Sequence, residues 1–148
     1  MTITVRPAQP SDAQRIWEIR NSPEALAVAS SPEIVPLAQH INWFNSKYFA
    51  NKGNVCFVAE IDNNIIGYSR FDFDTTNNQY INSIAIDPSM HGQGVATLLL
   101  SQSVQQLNSE RPIHAEVRKF NIVSQKLFER CGFTKKSEDD KNIYYQFI

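Results

Sequence analysis

The segment SIAIDPSMHGQGVATLLL, residues 83–100, constrains the fold more than any other stretch of the chain. An apolar strand pattern runs into Asp87-Pro88, turns through Gly92 and Gly94, and continues as a leucine-rich helix. Such a strand, glycine turn and helix presents several backbone N–H groups at the positive end of the helix dipole, which is an anion site in kind. A side chain at position 92 or 94 would keep a phosphate from the backbone, which suits glycine at both places and the small Ala96 just after. A tight strand-to-helix turn with no ligand asks for the same two glycines. Two familiar phosphate motifs do not apply. Val95 and Ala96 follow Gly94 where a nucleotide-triphosphate loop has Lys and then Ser or Thr, and Thr97 stands where a dinucleotide fingerprint has its third glycine.

Around this segment the chain reads as one ordered succession, a single domain over residues 1–148 without repeats or linkers. Alternation predicts strands at 2–6, 54–61, 65–73, 80–86, 113–117, 133–136 and 143–147. Ser11 with Gln14 fits a capping box ahead of a helix carrying Ile16, Trp17 and Ile19, which ends near Asn21 and Pro23 and is followed by a loop. Pro36 suits the first turn of a second helix with Leu37, Ile41, Phe44 and Tyr48 on its stripe. After the glycine turn, Ala96, Leu100, Val104 and Leu107 mark one helix face. Asn121 can cap a last helix with Val123, Leu127 and Cys131 inward, and Gly132 is placed to end it in a left-handed conformation. The order is β-α-α-β-β-β-α-β-α-β-β, an α/β (α+β) domain.

Composition removes several function classes. A hydrophobic fraction of 42%, a charged fraction of 20% and a net charge of −1 describe an ordinary globular chain, with no global charge to draw nucleic acid or an anionic membrane. Neither a leader pattern nor a membrane-length apolar run is visible, so a cytoplasmic location is expected. Cys56 and Cys131 lack metal or redox spacing and read as small buried hydrophobes, and His40, His91 and His114 are too scattered to hold a metal.

Two stretches together carry a family resemblance. SIAIDPSMHGQGVATLLL resembles the acetyl-CoA signature of the GNAT N-acetyltransferase superfamily, and HAEVRKFNIVSQKLFERCGF resembles its second signature at the usual distance behind. The resemblance covers nearly the whole chain and implies a GNAT-like domain with a central mixed, mostly antiparallel sheet flanked by helices. It implies acetyl-CoA as co-substrate and no metal. The first motif's pattern, Arg or Gln, two residues, Gly, one residue, Gly or Ala, departs only at His91, and the resemblance makes Gly92, Gln93, Gly94, Val95, Ala96 and Thr97 the pyrophosphate cradle. Ile84, Ala85 and Ile86 match the splayed strand whose backbone holds the pantetheine arm and thioester, with the Ile86 N–H facing the carbonyl oxygen. Asn121 stands where the superfamily often bonds the cofactor, and it is also a sensible N-cap. Phe128 occupies the position of a Tyr that commonly protonates the departing thiolate. A thiol of pKa about 8.5 leaves readily as its anion, so this departure implies a slower reaction and not a lost one. Tyr144 or Tyr145 can also offer a proton, although both are by default packing residues of a strand.

Acetyl transfer to an amine needs a proton acceptor and a donor to the carbonyl oxygen. Glu116 is the candidate base, at a position where some members of the superfamily carry a catalytic glutamate, and a solvated strand face explains it equally. His114 shares its face, and Asp72 and Asp74 lie on an alternating face of another strand. Arg20, His40, Trp43 and Phe44 resemble, more faintly, the acceptor region of GNAT enzymes that acetylate nucleotide-linked amino sugars, with Asp72 lining the channel; helix core and surface pairing account for them as well. The reading is an N-acetyltransferase acting on a small-molecule amine. The alternatives are a protein N-terminal or lysine acetyltransferase and a non-catalytic acyl-CoA sensor. Homodimers are common in the superfamily, though no residue here marks an interface.

Overall fold

The computed structural model describes residues 2–29 and 31–148. Its sheet has the order β1-β2-β3-β4-β5-β7-β6. The strands are β1 (Thr4–Pro7), β2 (Val55–Ile61), β3 (Asn64–Asp74), β4 (Gln79–Ile86), β5 (Ile113–Arg118), β6 (Thr134–Glu138) and β7 (Asn142–Phe147). Neighbours are antiparallel except β4 and β5, which run parallel with helix α4 (Val95–Leu107) as their crossover. The GNAT-like fold expected from the two motifs is the fold observed.

The pleat sends alternate side chains to two cores. On one face Val95, Leu99 and Leu100 of α4, with Leu127 and Phe128 of α5 (Ile122–Arg130), pack on Ile86, Ala115 and Tyr145. On the other, Ile16 and Ile19 of α1 (Ala13–Arg20) and Phe44 of α3 (Leu37–Tyr48) pack on Val58 and Tyr68. Removing each such side chain from water contributes about 1.5–3 kcal/mol.

Several local expectations are corrected. The first strand begins at Thr4 and runs to Pro7. Ser11 is not the cap of α1. Pro10–Asp12 forms a 3-10 turn, closed by Asp12 accepting the Gln9 N–H at 2.7 Å, while the Arg6 guanidinium holds the same carboxylate at 2.9 Å. The presumed loop after Asn21 contains a helix, α2 (Pro23–Val28), capped by Ser22 Oγ with Pro at its start. Six residues are too few for a hydrophobic period to show. The buried face of α4 centres on Val95, Leu99, Leu100 and Ser103, with Ala96, Val104 and Leu107 at its edges. Val123, expected inward, is 81% exposed and its neighbour Ile122 51%; the buried residues of α5 are Leu127 and Phe128, on its later turns. Gly132 does end α5 at φ +91°.

Candidate active site

The parallel ladder between β4 and β5 is short, pairing Tyr80 with Ile113 and Ile81 with His114 and then stopping. Beyond that point β4 stays paired with β3 alone, through the Gly67–Ile86 pair. Amide direction alternates along a strand. The Tyr80 N–H points toward β5, bonding Pro112 O at 2.9 Å, and the Asp87 N–H points toward β3, bonding Ile66 O at 2.8 Å. By that alternation Ile84 and Ile86 direct their amides into the opening between the strands. Ala85, expected beside them as a cofactor contact, turns its amide to β3 opposite Tyr68, so its methyl group alone faces the α1/α3 side.

The opening leads to the glycine turn. Gly92 and Gly94 have φ of +78° and +79°, left-handed values that glycine adopts without strain, and a Cβ added to either meets nothing within 4 Å. Among the described residues the N–H groups from Gly92 to Thr97 have no acceptor; the first bond of the helix is Leu98 N–H to Gly94 O. That is the donor set a pyrophosphate requires, at the positive end of a 13-residue helix. The Arg130 guanidinium bonds Thr97 Oγ1 at 3.1 Å and brings a positive charge beside it. Asn121 Oδ1 caps α5 by accepting the Ser124 N–H at 3.2 Å, which leaves its Nδ2 unbonded among the described residues.

The turn is anchored at both ends. Asp87 accepts Ser89 N–H and Oγ–H at 2.9 and 2.7 Å and bridges to Arg15 of α1, whose Nε also bonds Ile65 O. Burial pushes the Asp87 carboxyl up, but the bonds from Ser89 and Arg15 together hold it below its usual range. His91, the departure from the motif, donates its Nε2–H to the Ile86 carbonyl at 2.9 Å, tying the turn back to the end of β4.

Across the opening, β5 points Ile113, Ala115 and Val117 into the core and His114, Glu116 and Arg118 the other way. Glu116 is exposed on that face, and His114 stacks on Tyr144 with ring centroids 5.7 Å apart. Burial lowers the His114 pKa.

The model of the acetyltransferase (GNAT) family matches residues 13–133. The chain belongs to the GNAT family. It is an N-acetyltransferase that uses acetyl-CoA. No curated protein matches it. Among solved structures it is similar to yncA from Salmonella typhimurium, solved with its cofactor acetyl-CoA, with a TM-score of 0.84, 21% identity and coverage of 99% of this chain and 94% of that one. A phosphinothricin acetyltransferase from Sinorhizobium meliloti in complex with acetyl-CoA gives 0.84 at 21% identity, covering 99% and 88%. A ribosomal-protein-alanine N-acetyltransferase from Brucella melitensis gives 0.84 at 18% identity, covering 98% and 99%. At such identities the likeness is one of fold.

For this GNAT enzyme the residues expected at the acceptor end do converge, but as a packed cluster. His40 and Phe44 are fully buried, with rings 5.9 Å apart. Arg20 lies 5.0 Å over the Trp43 ring, with Arg70 and Lys47 each at 5.4 Å. The Asp72 carboxylate is held by Tyr48 Oη and Arg70, both at 2.7 Å, and by Lys47 at 3.2 Å. Neither ring nitrogen of His40 has a partner among the described residues, and burial lowers its pKa.

An open groove of about 510 Å³ lies at the end of β5 instead. Leu26, Ala27, Ala29 and Pro32 form one wall, and Arg118, Lys119 and Phe120 form the floor, closed by Asp140 and Lys141 of the β6–β7 turn. Arg118 joins the two sides through Nη2 to Ala29 O and Nη1 to Asn142 Oδ1, both 3.2 Å. Sequence reading missed this groove, although the alternation that put His114 and Glu116 on one face extends to Arg118. The other walls come from segments far apart in the chain.

The tyrosines of β7 are committed. Tyr145 Oη donates to Glu129 at 2.7 Å, its ring stacks 6.1 Å from Phe128, and burial and Glu129 push its pKa up to about 12. Tyr144 Oη donates to Asp139 at 2.6 Å. Burial raises the Cys56 thiol to about 12, so it stays a protonated core residue. Among the described residues no helix is long and apolar enough to cross a membrane, and no three His, Cys, Asp or Glu side chains group to hold a metal.

Proposed function

We propose that the protein transfers the acetyl group to a primary amine of a small molecule by direct attack in a ternary complex, with the amine seated in the groove at the end of β5. The parting of β4 and β5 beyond Ile81 and His114 carries this reading, because it leaves free amides on one side and Glu116 on the other. Acetyl-CoA, when bound, supplies the activated thioester. The N–H groups from Gly92 to Thr97 hold its pyrophosphate, and the Ile86 N–H donates to the carbonyl oxygen as charge builds there. Glu116 accepts the proton of the attacking amine. No side chain corresponding to the usual tyrosine acid is supplied at Phe128, so the departing sulfur takes its proton from solvent.

A nucleotide-linked amino sugar is the acceptor we favour. Its phosphates would meet Arg118 and the neighbouring lysines. The Brucella neighbour favours a second reading, a protein N-terminus in the same groove. Mass spectrometry of reactions with isotopically labelled acetyl-CoA and a panel of amino sugar nucleotides, amino acids, polyamines and N-terminal peptides tests the proposal. Label on a small amine supports it, label confined to peptides selects the second reading, and cofactor binding with no labelled amine refutes both.

A further inference from the structure

We infer that the accepted amine carries an acidic group, a carboxylate or a phosphate, and that Arg118 with Lys141 recognises it. This rests on the groove being the acceptor site. Arg118 bonds two neutral acceptors, Ala29 O and Asn142 Oδ1, and pairs with no carboxylate among the described residues. A guanidinium has five N–H donors in a planar fork, so three remain for a ligand, and that fork matches carboxylate or phosphate oxygens. Lys141 forms no ion pair among the described residues, and Lys119 shares Glu138 with Lys135. Against these three cations the groove lining holds one carboxylate, Asp140.

Spacing sets the amine at the reacting end. Glu116 and Arg118 project from the same face of β5 two residues apart, about 7 Å. A molecule with its acid on Arg118 therefore reaches Glu116 with its amine across a short chain or one ring. Phe120, 68% exposed, and Leu26 offer an apolar surface to the body between them. A polyamine would instead place a second cation against an uncompensated guanidinium.

The test is kcat/KM for amines matched in skeleton: 4-aminobutyrate, its amide, butylamine and 1,4-diaminobutane. A second arm pairs a nucleotide-linked amino sugar with the free amino sugar, which separates a phosphate from a carboxylate as the recognised acid. The acidic member of at least one arm should exceed its neutral partner tenfold or more, and the diamine should be poorest. Lys141→Glu, at an exposed turn, should raise KM severalfold for the acidic amine and much less for its neutral partner, and Arg118→Gln should erase the preference, with melting temperature and acetyl-CoA affinity followed in both. Equal rates across each pair, or preference for the diamine, overturn the inference while acetyl transfer to small amines stands. Acetyl-CoA binding with no amine acetylated overturns the acceptor reading itself.

Discussion

Replacing Gly94 with alanine separates the cost of the turn from the cost to the ligand. Gly94 sits at φ +79° and ψ 6°, and an added Cβ meets nothing within 4 Å, so Gly94→Ala brings left-handed strain without a clash. That strain is about 1–2 kcal/mol. Gly53 supplies a matched control outside the site: its φ is +81° and its Cβ position is equally open. Both variants should therefore melt a few degrees below the parent, since 1 kcal/mol shifts a chain of this size by about 2–4 °C. Binding should divide them. In the cradle the methyl occupies the space through which a phosphate reaches the N–H groups, and losing one hydrogen bond to a charged group costs about 1.5–3 kcal/mol. The acetyl-CoA Kd should rise about ten- to a hundredfold for Gly94→Ala, and stay within threefold for Gly53→Ala. Isothermal titration and thermal melts on the three proteins measure both effects. Equal melting losses with no change of Kd at Gly94 would refute the cradle and leave Gly92 and Gly94 as a turn only.

Glu116→Gln should lower kcat about a hundredfold or more at saturating amine while leaving acetyl-CoA affinity unchanged; an unaltered kcat removes Glu116 as the base. Phe128→Tyr should raise kcat about tenfold, less than the hundredfold or more typical of a positioned general acid because the thiolate is already a good leaving group, with some loss of melting temperature because Phe128 is 4% exposed between Phe133 and Tyr145. An unchanged kcat would mean the thiolate needs no acid from the protein. His40 tests the packed cluster through pH. Burial, with Arg20 and Arg70 nearby, holds its pKa in the folded chain below the ordinary imidazole value of about 6.5, at which the unfolded chain takes up its proton. The unfolded state then holds more protons, so stability should fall as pH drops through that value, by up to about 1.4 kcal/mol per pH unit. Urea denaturation at pH 7.5 and 5.5 should show this for the parent and a flatter response for His40→Leu; identical slopes would place the acid sensitivity elsewhere.

How much was legible before folding depends on how local each feature is. The glycine turn was readable because left-handed φ at Gly92 and Gly94 and the leucine period after them are properties of about 15 consecutive residues. The strand order around it followed from alternation and from Pro and Asn turns, and the Asn121 cap needed three residues. Helix α2 escaped because six residues show no period, and Val123 because a helical period does not say which turns of the helix have a partner to pack on.

The proposed acceptor side lay beyond sequence reading for a different reason. Arg20, His40, Trp43, Phe44 and Asp72, expected to bind the acceptor, do come together, yet whether such a group forms a pocket or a core depends on volume, and here the side chains pack on one another. The groove joins α2, the end of β5 and the β6–β7 turn, segments separated by about ninety residues, through one guanidinium. The strand, the left-handed turn and the helix with its unbonded N–H groups were readable from the sequence, since glycine conformation and helix dipole act within a single local segment. Where β4 and β5 part and which cations line the groove at the end of β5 emerged only in the folded chain, because both follow from how distant strands twist and pack against each other.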